Sequence, residues 1–381
     1  MRGIAAVVGL AMLAGPGCHK KTDEKQAPIV IGNVMPLTGD IATFGQSANN
    51  GVKLAIDEAN AAGGIKGRRL DIQVYDTVGK PEEAAIAASR AISQKKAMLL
   101  IGELGSGGSL AIAPIAEEHE VPAISPASTN PKVTKDGTRT RPYMFRVCFI
   151  DPFQGTVMAK FARHNLKAKR AAIVRDVGND YSMGLADFFA KTFQELGGEI
   201  AVDVSYKAGD QDFKAQLTKV KFASPDLLYV PGYYTDVALI GRQARELDVK
   251  APLAGGDGWD SAKLYEIAQG ALDGGFFSNH YSIENPSAVV HEFAKKYQAA
   301  YQAAPDAFAA LGYDAALLAL DAMRRAGELT PSAVRDAIEQ TATLQGVTGT
   351  MRFDADHNPV KSAVIMGIEK NAPKYVATVE P

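Results

Sequence analysis

Short aliphatic runs alternate with longer segments of helical periodicity along most of the chain. The first run, IVIGNVMPL from Ile29, is followed by a helical pattern that ends at Gly63-Gly64. Three more runs, RRLDIQVYD, AMLLIGE and VPAISPAS, alternate with further helical segments before residue 130. This βαβαβαβ order predicts a parallel sheet with helices on both faces.

The same rhythm starts again at RAAIVRD, residues 170–176. Strand-like runs EIAVDVSY, PDLLYVPG, APLAGG and GGFFSN follow, separated by helical patterns. After Pro286 the pattern predicts two or three helices up to about Thr341, and then a tail of short β segments. We therefore expect two α/β lobes with parallel sheets. Ligands bind at the carboxyl ends of such strands, so two facing edges would form a cleft that can close on a small molecule.

Charge and composition exclude several classes of function. The 381 residues include 41 Lys and Arg against 43 Asp and Glu, and no basic run suggests a nucleic-acid groove. The six histidines are scattered without the spacing of a metal site, and we expect neither a metal nor a cofactor. These features indicate a globular protein with a small ligand.

The first residues read as an export signal. Arg2 precedes an apolar stretch, Ile4 to Leu13, that is much shorter than a membrane span, and Cys18 follows Gly17. We expect residues 1–17 to be a signal peptide, Cys18 to carry a lipid, and residues 18–28 to form a tether. Lipoprotein signals usually have leucine where Gly15 stands. The alternative is therefore that the signal peptide is cleaved at another position and Cys18 carries no lipid. In both cases the protein is exported, to the periplasm or its equivalent.

The loop Gly102 to Ser109 is rich in Gly and Ser and is expected to precede a helix. Backbone N–H groups at such a position favour an anion, and Ser106 could add a hydroxyl donor. A nucleotide-phosphate loop is the competing interpretation, but the spacing matches neither the Walker nor the G-x-G-x-x-G pattern. An ordinary turn capped by serine also remains open.

Other polar and aromatic residues follow predicted strands in the same way. The string SPASTNP, residues 125–131, presents hydroxyls on a backbone held extended by prolines, although it also reads as a surface turn. In the second half Tyr181, Tyr233 and Asp257 follow successive strands. Asp257 lies among glycines beside the only tryptophan and would accept an ammonium group. A solvated turn aspartate is the alternative.

Several strings carry a resemblance to a known family. They are PLTGDIATFGQSANNGVKLAIDEANAAGGIKGRRLDI, IGELGSGGS, SPASTNP, YSMG, YVPGYYTDVALIGRQAR and GGDGW. The chain resembles the leucine/isoleucine/valine-binding family of ABC-transporter solute receptors over nearly everything after Pro28. This implies the type I periplasmic-binding-protein fold, with two Rossmann-like lobes joined by three crossovers. By the same resemblance we expect residues 29–147 and 277–350 to form lobe 1, and residues 148–276 and 351–381 to form lobe 2.

The resemblance also implies roles for single residues. Ser106 and Thr129 would hold a ligand carboxylate, while the Ala127 carbonyl and Asp257 would hold its ammonium group; Ser128, in the same loop, is counted with the ligand-binding residues. The pocket walls would be Phe44, Tyr181 and Tyr233, with Phe308 as a further candidate. Some family members have glutamate where Asp257 stands, so this chain departs from the pattern at the ammonium site.

The sequence bears on three possible functions. The first is a receptor that binds a small, aliphatic or branched-chain amino acid and delivers it to the permease of an ABC importer, acting as a monomer. The second is an enzyme, but no nucleophile motif, metal set or dinucleotide fingerprint is present in the sequence. The third is a sensor or receptor of the same fold for an amide, urea or an aromatic acid. Asp257 argues against ligands that lack a cationic group.

Overall fold

The computed structural model describes residues 27–381. The predicted signal peptide, Cys18 and most of the predicted tether lie outside this part of the chain. None of the helices between residues 27 and 381 has both the length and the apolar character needed to cross a membrane.

A five-stranded parallel sheet forms the centre of the first lobe. Its strands run in the order β2-β1-β3-β4-β7, and alternate residues of β3 pack into separate cores, with Leu99 and Ile101 on one face and Leu100 on the other. The elements of this segment are β1 (Ile29–Met35), α1 (Ala42–Ala61), β2 (Leu70–Asp76), α2 (Pro81–Ser93), β3 (Leu99–Gly102), α3 (Ser106–Glu118), β4 (Ala123–Ser125), the hairpin β5 (Lys135–Asp136) and β6 (Arg139–Thr140), and β7 (Met144–Arg146).

A seven-stranded mixed sheet forms the second lobe. Five strands are parallel, and the order is β17-β16-β12-β11-β10-β8-β9. The consecutive elements are α4 (Asp151–His164), β8 (Arg170–Asp176), α5 (Asp180–Glu195), β9 (Glu199–Tyr206), α6 (Lys214–Ala223), β10 (Leu227–Tyr229), α7 (Tyr234–Glu246), β11 (Leu253–Gly255), α8 (Ala262–Ala268) and β12 (Phe276–Asn279). The expectation of a wholly parallel second sheet is wrong at one edge, since β16 and β17 run antiparallel.

The remaining elements return to the first lobe and then to the second. They are α9 (Ala288–Tyr301), α10 (Ala307–Arg325), α11 (Pro331–Glu339), a small sheet of β13 (Thr343–Gly346), β14 (Gly349–Phe353) and β15 (Pro359–Val360), and finally β16 (Ala363–Glu369) and β17 (Ala372–Val379). Helix α10 lies directly on α1, because Gly51 and Gly312 let the two backbones approach. A Cβ at Gly51 would collide with the Ala309 carbonyl, and one at Gly312 with the Ala48 carbonyl.

Two of the predicted lobe boundaries fall too early. Strand β12 pairs with β11 and β16, so the chain stays in the second sheet through Asn279 instead of leaving it after residue 276. The segment after residue 350 stays beside the first lobe: His357 Nδ1 lies 2.9 Å from the Met144 carbonyl, and Thr134 Oγ1 donates to Asn358 Oδ1 at 2.9 Å. Strand β14 pairs with β13 and with β15, so the chain stays beside the first lobe until β15 ends.

Candidate functional site

A small cavity lies between the carboxyl ends of the strands of the two sheets. Both lobes line it: Ile41, Phe44, Leu104, Gly105, Ser106, Ala127 and Phe308 come from the first, and Tyr181, Tyr233, Asp257 and Gly258 from the second. A cavity lined by so few residues suits a small molecule. The sequence-predicted residues Phe44, Ser106, Ala127, Tyr181, Tyr233 and Asp257 are thus brought together around one space.

The first lobe contributes a corner that suits an anion. Gly105 is the N-cap of α3 and Ser106 its first residue. The helix therefore begins inside the glycine-serine loop, and the prediction that it begins after the loop is wrong. The free N–H groups of this first turn favour a carboxylate. Ser106 Oγ already accepts a hydrogen bond of 3.3 Å from the Asn130 N–H, and its hydrogen remains available for a ligand.

Two residues of the loop after β4 do not line the cavity, although both were predicted as ligand-binding residues. Ser128 Oγ donates towards the Glu103 and Leu104 carbonyls, at 3.1 and 3.0 Å, and lies 2.8 Å from Ser109 Oγ. It therefore joins the two loops of the first lobe. Thr129 is fully buried, and its Oγ1 has no hydrogen-bond partner within the described part of the chain.

The second lobe contributes an acidic corner. Asp257 is 4% exposed and follows β11 on a short 3₁₀ turn, Asp257–Trp259. Its Oδ1 accepts from Gln154 Nε2 at 2.6 Å and from the Tyr181 hydroxyl at 3.0 Å, while Oδ2 lies 3.1 Å from His280 Nε2. Burial lowers the pKa of His280 and raises that of Tyr181 well above its usual range, so both donors are neutral. The corner is suited to a cationic group.

Aromatic rings wall the space between these corners. The rings of Phe44 and Phe308 stack with centroids 3.9 Å apart, and those of Tyr181 and Tyr233 are parallel at 5.4 Å. Phe44 also meets Tyr233 edge-on at 5.9 Å, which joins the walls of the two lobes. A ligand side chain among these rings would be apolar.

Buried polar residues that sequence reasoning missed support both corners. Glu103 accepts from Thr77 Oγ1 at 2.6 Å and from the Gly105 N–H at 2.5 Å, and burial raises its pKa to about 7. Arg146, inside β7, donates to the Ser128 and Asn130 carbonyls at 2.5 and 2.9 Å. The sequence could have indicated Arg146, because a charged residue inside an apolar run is unusual. No comparable pattern in the sequence marks Gln154 or His280.

The two lobes touch each other around the cavity. Asn130 Nδ2 donates to the Asp180 carbonyl at 2.8 Å, Thr43 Oγ1 lies 3.0 Å from Ser261 Oγ, and the Ala307 N–H donates to Asp260 Oδ2 at 2.8 Å. The lobes are therefore in a closed arrangement.

Cys148, at the first crossover, is buried with a free thiol, and burial raises its pKa to about 12.

Comparison with known proteins identifies the family. A family model described as periplasmic binding protein matches residues 28–373. The chain belongs to the periplasmic binding proteins. The Leu/Ile/Val-binding protein BraC3 of Rhizobium johnstonii is 34% identical to this periplasmic binding protein over 253 residues, which is 66% of this chain and 68% of the relative. BraC3 is named as a binding protein, and the family model describes this chain as one as well.

Solved structures confirm the predicted two-lobed fold. The leucine-binding protein LivK of Thermotoga maritima is 40% identical, with a TM-score of 0.88 over 93% of this chain and 99% of LivK. The branched-chain amino-acid transporter substrate-binding protein LivJ of Streptococcus pneumoniae, solved in complex with isoleucine, is 34% identical, with a TM-score of 0.86 over 93% of this chain and 100% of LivJ.

Proposed function

We propose that this periplasmic binding protein is the extracytoplasmic substrate-binding subunit of an ABC importer, and that it binds one small aliphatic amino acid, most suitably a branched-chain one, in the interlobe cavity. The observation that carries the proposal is the cavity itself, which places hydrogen-bond donors of the α3 N-terminus opposite the buried carboxylate of Asp257. A zwitterion needs both corners at once, and neither lobe alone supplies them.

The ligand class follows from the walls and the size of the cavity. Stacked aromatic rings favour an apolar side chain, and the few residues that line the cavity leave room only for a small molecule. The similarity to BraC3, LivK and LivJ supports the same class. Ligands without a cationic group, such as amides, urea or aromatic acids, would leave Asp257 buried without its partner.

Binding and closure are coupled in this proposal. The ligand contacts both lobes and binds the closed arrangement more tightly, which is the differential affinity that closes the clamp. We infer that the hinge consists of the crossovers near residues 148–151, 280–287 and 361–362. The closed surface is what a membrane permease would recognise, and the protein would act as a monomer.

The N-terminal anchor completes the proposal. A lipid on Cys18 with a polar tether through residue 28 would keep the receptor near its permease, outside the cytoplasm. Fractionation of cells expressing the wild type and Cys18→Ala tests this part alone. We expect the wild type in the membrane fraction and the variant in the soluble extracytoplasmic fraction; a soluble wild type would contradict the anchor.

Mass spectrometry of the ligand released by denaturation, followed by titration of the refolded protein with amino acids, tests the binding function. We expect leucine, isoleucine or valine to be released and to rebind with one-to-one stoichiometry. Release of an acid that has no amino group, with no binding of any amino acid, would overturn the proposal.

A further inference from the structure

The carboxylate of Asp257 is held by side chains from two other segments of the second lobe. Gln154, in the first turn of α4, donates to Oδ1 at 2.6 Å, and His280, the residue after β12, lies 3.1 Å from Oδ2. Both residues are completely buried, and neither lines the cavity. Their contact with the site is through Asp257.

The direction of the hydrogen bond from His280 is settled by chemistry. A carboxylate only accepts, so His280 carries its proton on Nε2. Its Nδ1 has no hydrogen-bond partner in the part of the chain that the structure describes. The ring stacks on Phe149 with centroids 3.6 Å apart, which fixes its orientation. His280 is thus a donor of fixed direction.

Opposed donors on the two oxygens fix the plane of the Asp257 carboxylate. An unsupported aspartate can rotate about both side-chain bonds, so its oxygens would sample several directions. The Tyr181 hydroxyl, 3.0 Å from Oδ1, itself accepts from the Gly258 N–H at 3.2 Å and is held as well. All these donors are uncharged, so they orient the carboxylate and leave its charge for a cationic ligand group.

We propose that Gln154 and His280 are positioning residues that hold the Asp257 carboxylate towards the cavity and so create the acceptor for the ligand's ammonium group. This inference rests on the proposed amino-acid binding function. It adds that ammonium recognition depends on two buried residues outside the cavity, one beside the first crossover and one at the second.

A double-mutant cycle measured by calorimetry with leucine tests the proposal. His280→Ala and Gln154→Ala should each weaken leucine binding by about tenfold or more, the range for losing a hydrogen bond to a charged group. In an Asp257→Asn background the same substitutions should change the affinity by less than about twofold, because their effect passes through Asp257. His280→Gln, which keeps a donor, should lose less affinity than His280→Ala.

The matched control is His357→Ala. His357 is also buried and stacked on a phenylalanine, Phe145, with centroids 4.3 Å apart, but it lies against the Met144 carbonyl. We expect a lower melting temperature with unchanged leucine affinity. Equal losses from His280→Ala with and without Asp257→Asn would overturn the positioning role, as would unchanged affinity in both single variants. A wild type that binds no amino acid would overturn the proposed function instead.

Discussion

The side-chain amide of Asn130 donates a 2.8 Å hydrogen bond to the main-chain carbonyl of Asp180, across the cleft between the lobes. Asn130 follows Thr129 in the loop after β4, and Asp180 precedes Tyr181 at the start of α5. The bond therefore joins the backbone segments that carry the two halves of the site. Separation of the two lobes would break it.

Removal of this contact should weaken ligand binding without unfolding either lobe. Asn130→Ala loses one interlobe hydrogen bond, so we expect leucine affinity to fall by about two- to twelvefold, the equivalent of about 0.5–1.5 kcal/mol. Calorimetry at 25 °C measures the change. The control is Asn60→Ala, whose side chain bonds Leu70 within the first lobe. An equal loss of affinity in both variants would show that Asn130 does not act on closure.

The Asp257 carboxylate should be the strongest single determinant of affinity. Asp257→Asn keeps the shape of the side chain but removes the charge that pairs with the ammonium group. We expect a loss of about 2–5 kcal/mol in binding free energy, the range for unpairing a buried charge. Competition calorimetry can measure the weak leucine affinity expected of this variant. Affinity within twofold of the wild type would remove Asp257 from the site.

Gly105 should set the size of ligand that fits. A Cβ placed there would lie 3.4 Å from Glu103 Oε2, 3.6 Å from the Tyr233 hydroxyl and 3.7 Å from Ile41 Cδ1, all van der Waals contacts, so Gly105→Ala should fold. The added methyl fills part of the cavity, and overpacking costs about 1–3 kcal/mol. The variant should therefore lose more affinity for leucine than for alanine. Gly327→Ala, at an open position, serves as the control. An unchanged ratio of leucine to alanine affinity would contradict this.

Asp151 should make stability fall as the pH rises. Its side chain is fully buried, and burial raises its pKa to about 8, whereas the unfolded value is about 3.9. The folded protein therefore keeps the proton that the unfolded chain has already lost. Stability from this group is complete below pH 4 and is lost between about pH 4 and 8.

Asp151→Asn isolates that contribution, because an amide stays neutral at every pH in this range. Chemical denaturation at pH 5 and pH 8.5 should show a smaller loss of unfolding free energy in the variant than in the wild type. Asp356→Asn is the control: the hydrogen bond from Lys135 lowers the pKa of Asp356, so this group is ionised in the folded and unfolded chain across the range, and its loss should leave the pH dependence unchanged. Equal pH dependence of Asp151→Asn and the wild type would contradict a raised pKa.

Much of the architecture could be predicted from the sequence because it depends on local periodicity. The strand from Ile29, the helix that ends before Gly63, and the three helices after Pro286 all follow apolar patterns. Strand β7 was missed because it is three residues long and contains buried Arg146. The antiparallel pairing of β16 with β12 depends on contacts between distant segments, which no local pattern encodes.

The site also contains residues that the sequence could predict and residues that it could not. Residues at strand ends, such as Ser106, Tyr181 and Asp257, could be predicted because the fold brings these ends to one edge. Ser128 is predicted as a ligand-binding residue because it lies in the same loop as Ala127 and Thr129, yet its hydroxyl satisfies backbone carbonyls inside the first lobe. His280 could not be predicted because its role depends on a partner 23 residues away that the chain must fold to reach.

Titration of the wild-type protein with leucine and its two truncated analogues tests the central claim most directly. 4-Methylpentanoic acid lacks the ammonium group and 3-methylbutylamine lacks the carboxylate, while both keep the apolar side chain. If the cavity holds both ends of a zwitterion, leucine should bind one-to-one and each analogue should bind at least about a hundredfold more weakly. Binding of either analogue as tight as that of leucine, or no binding of leucine to the folded protein, would contradict the account.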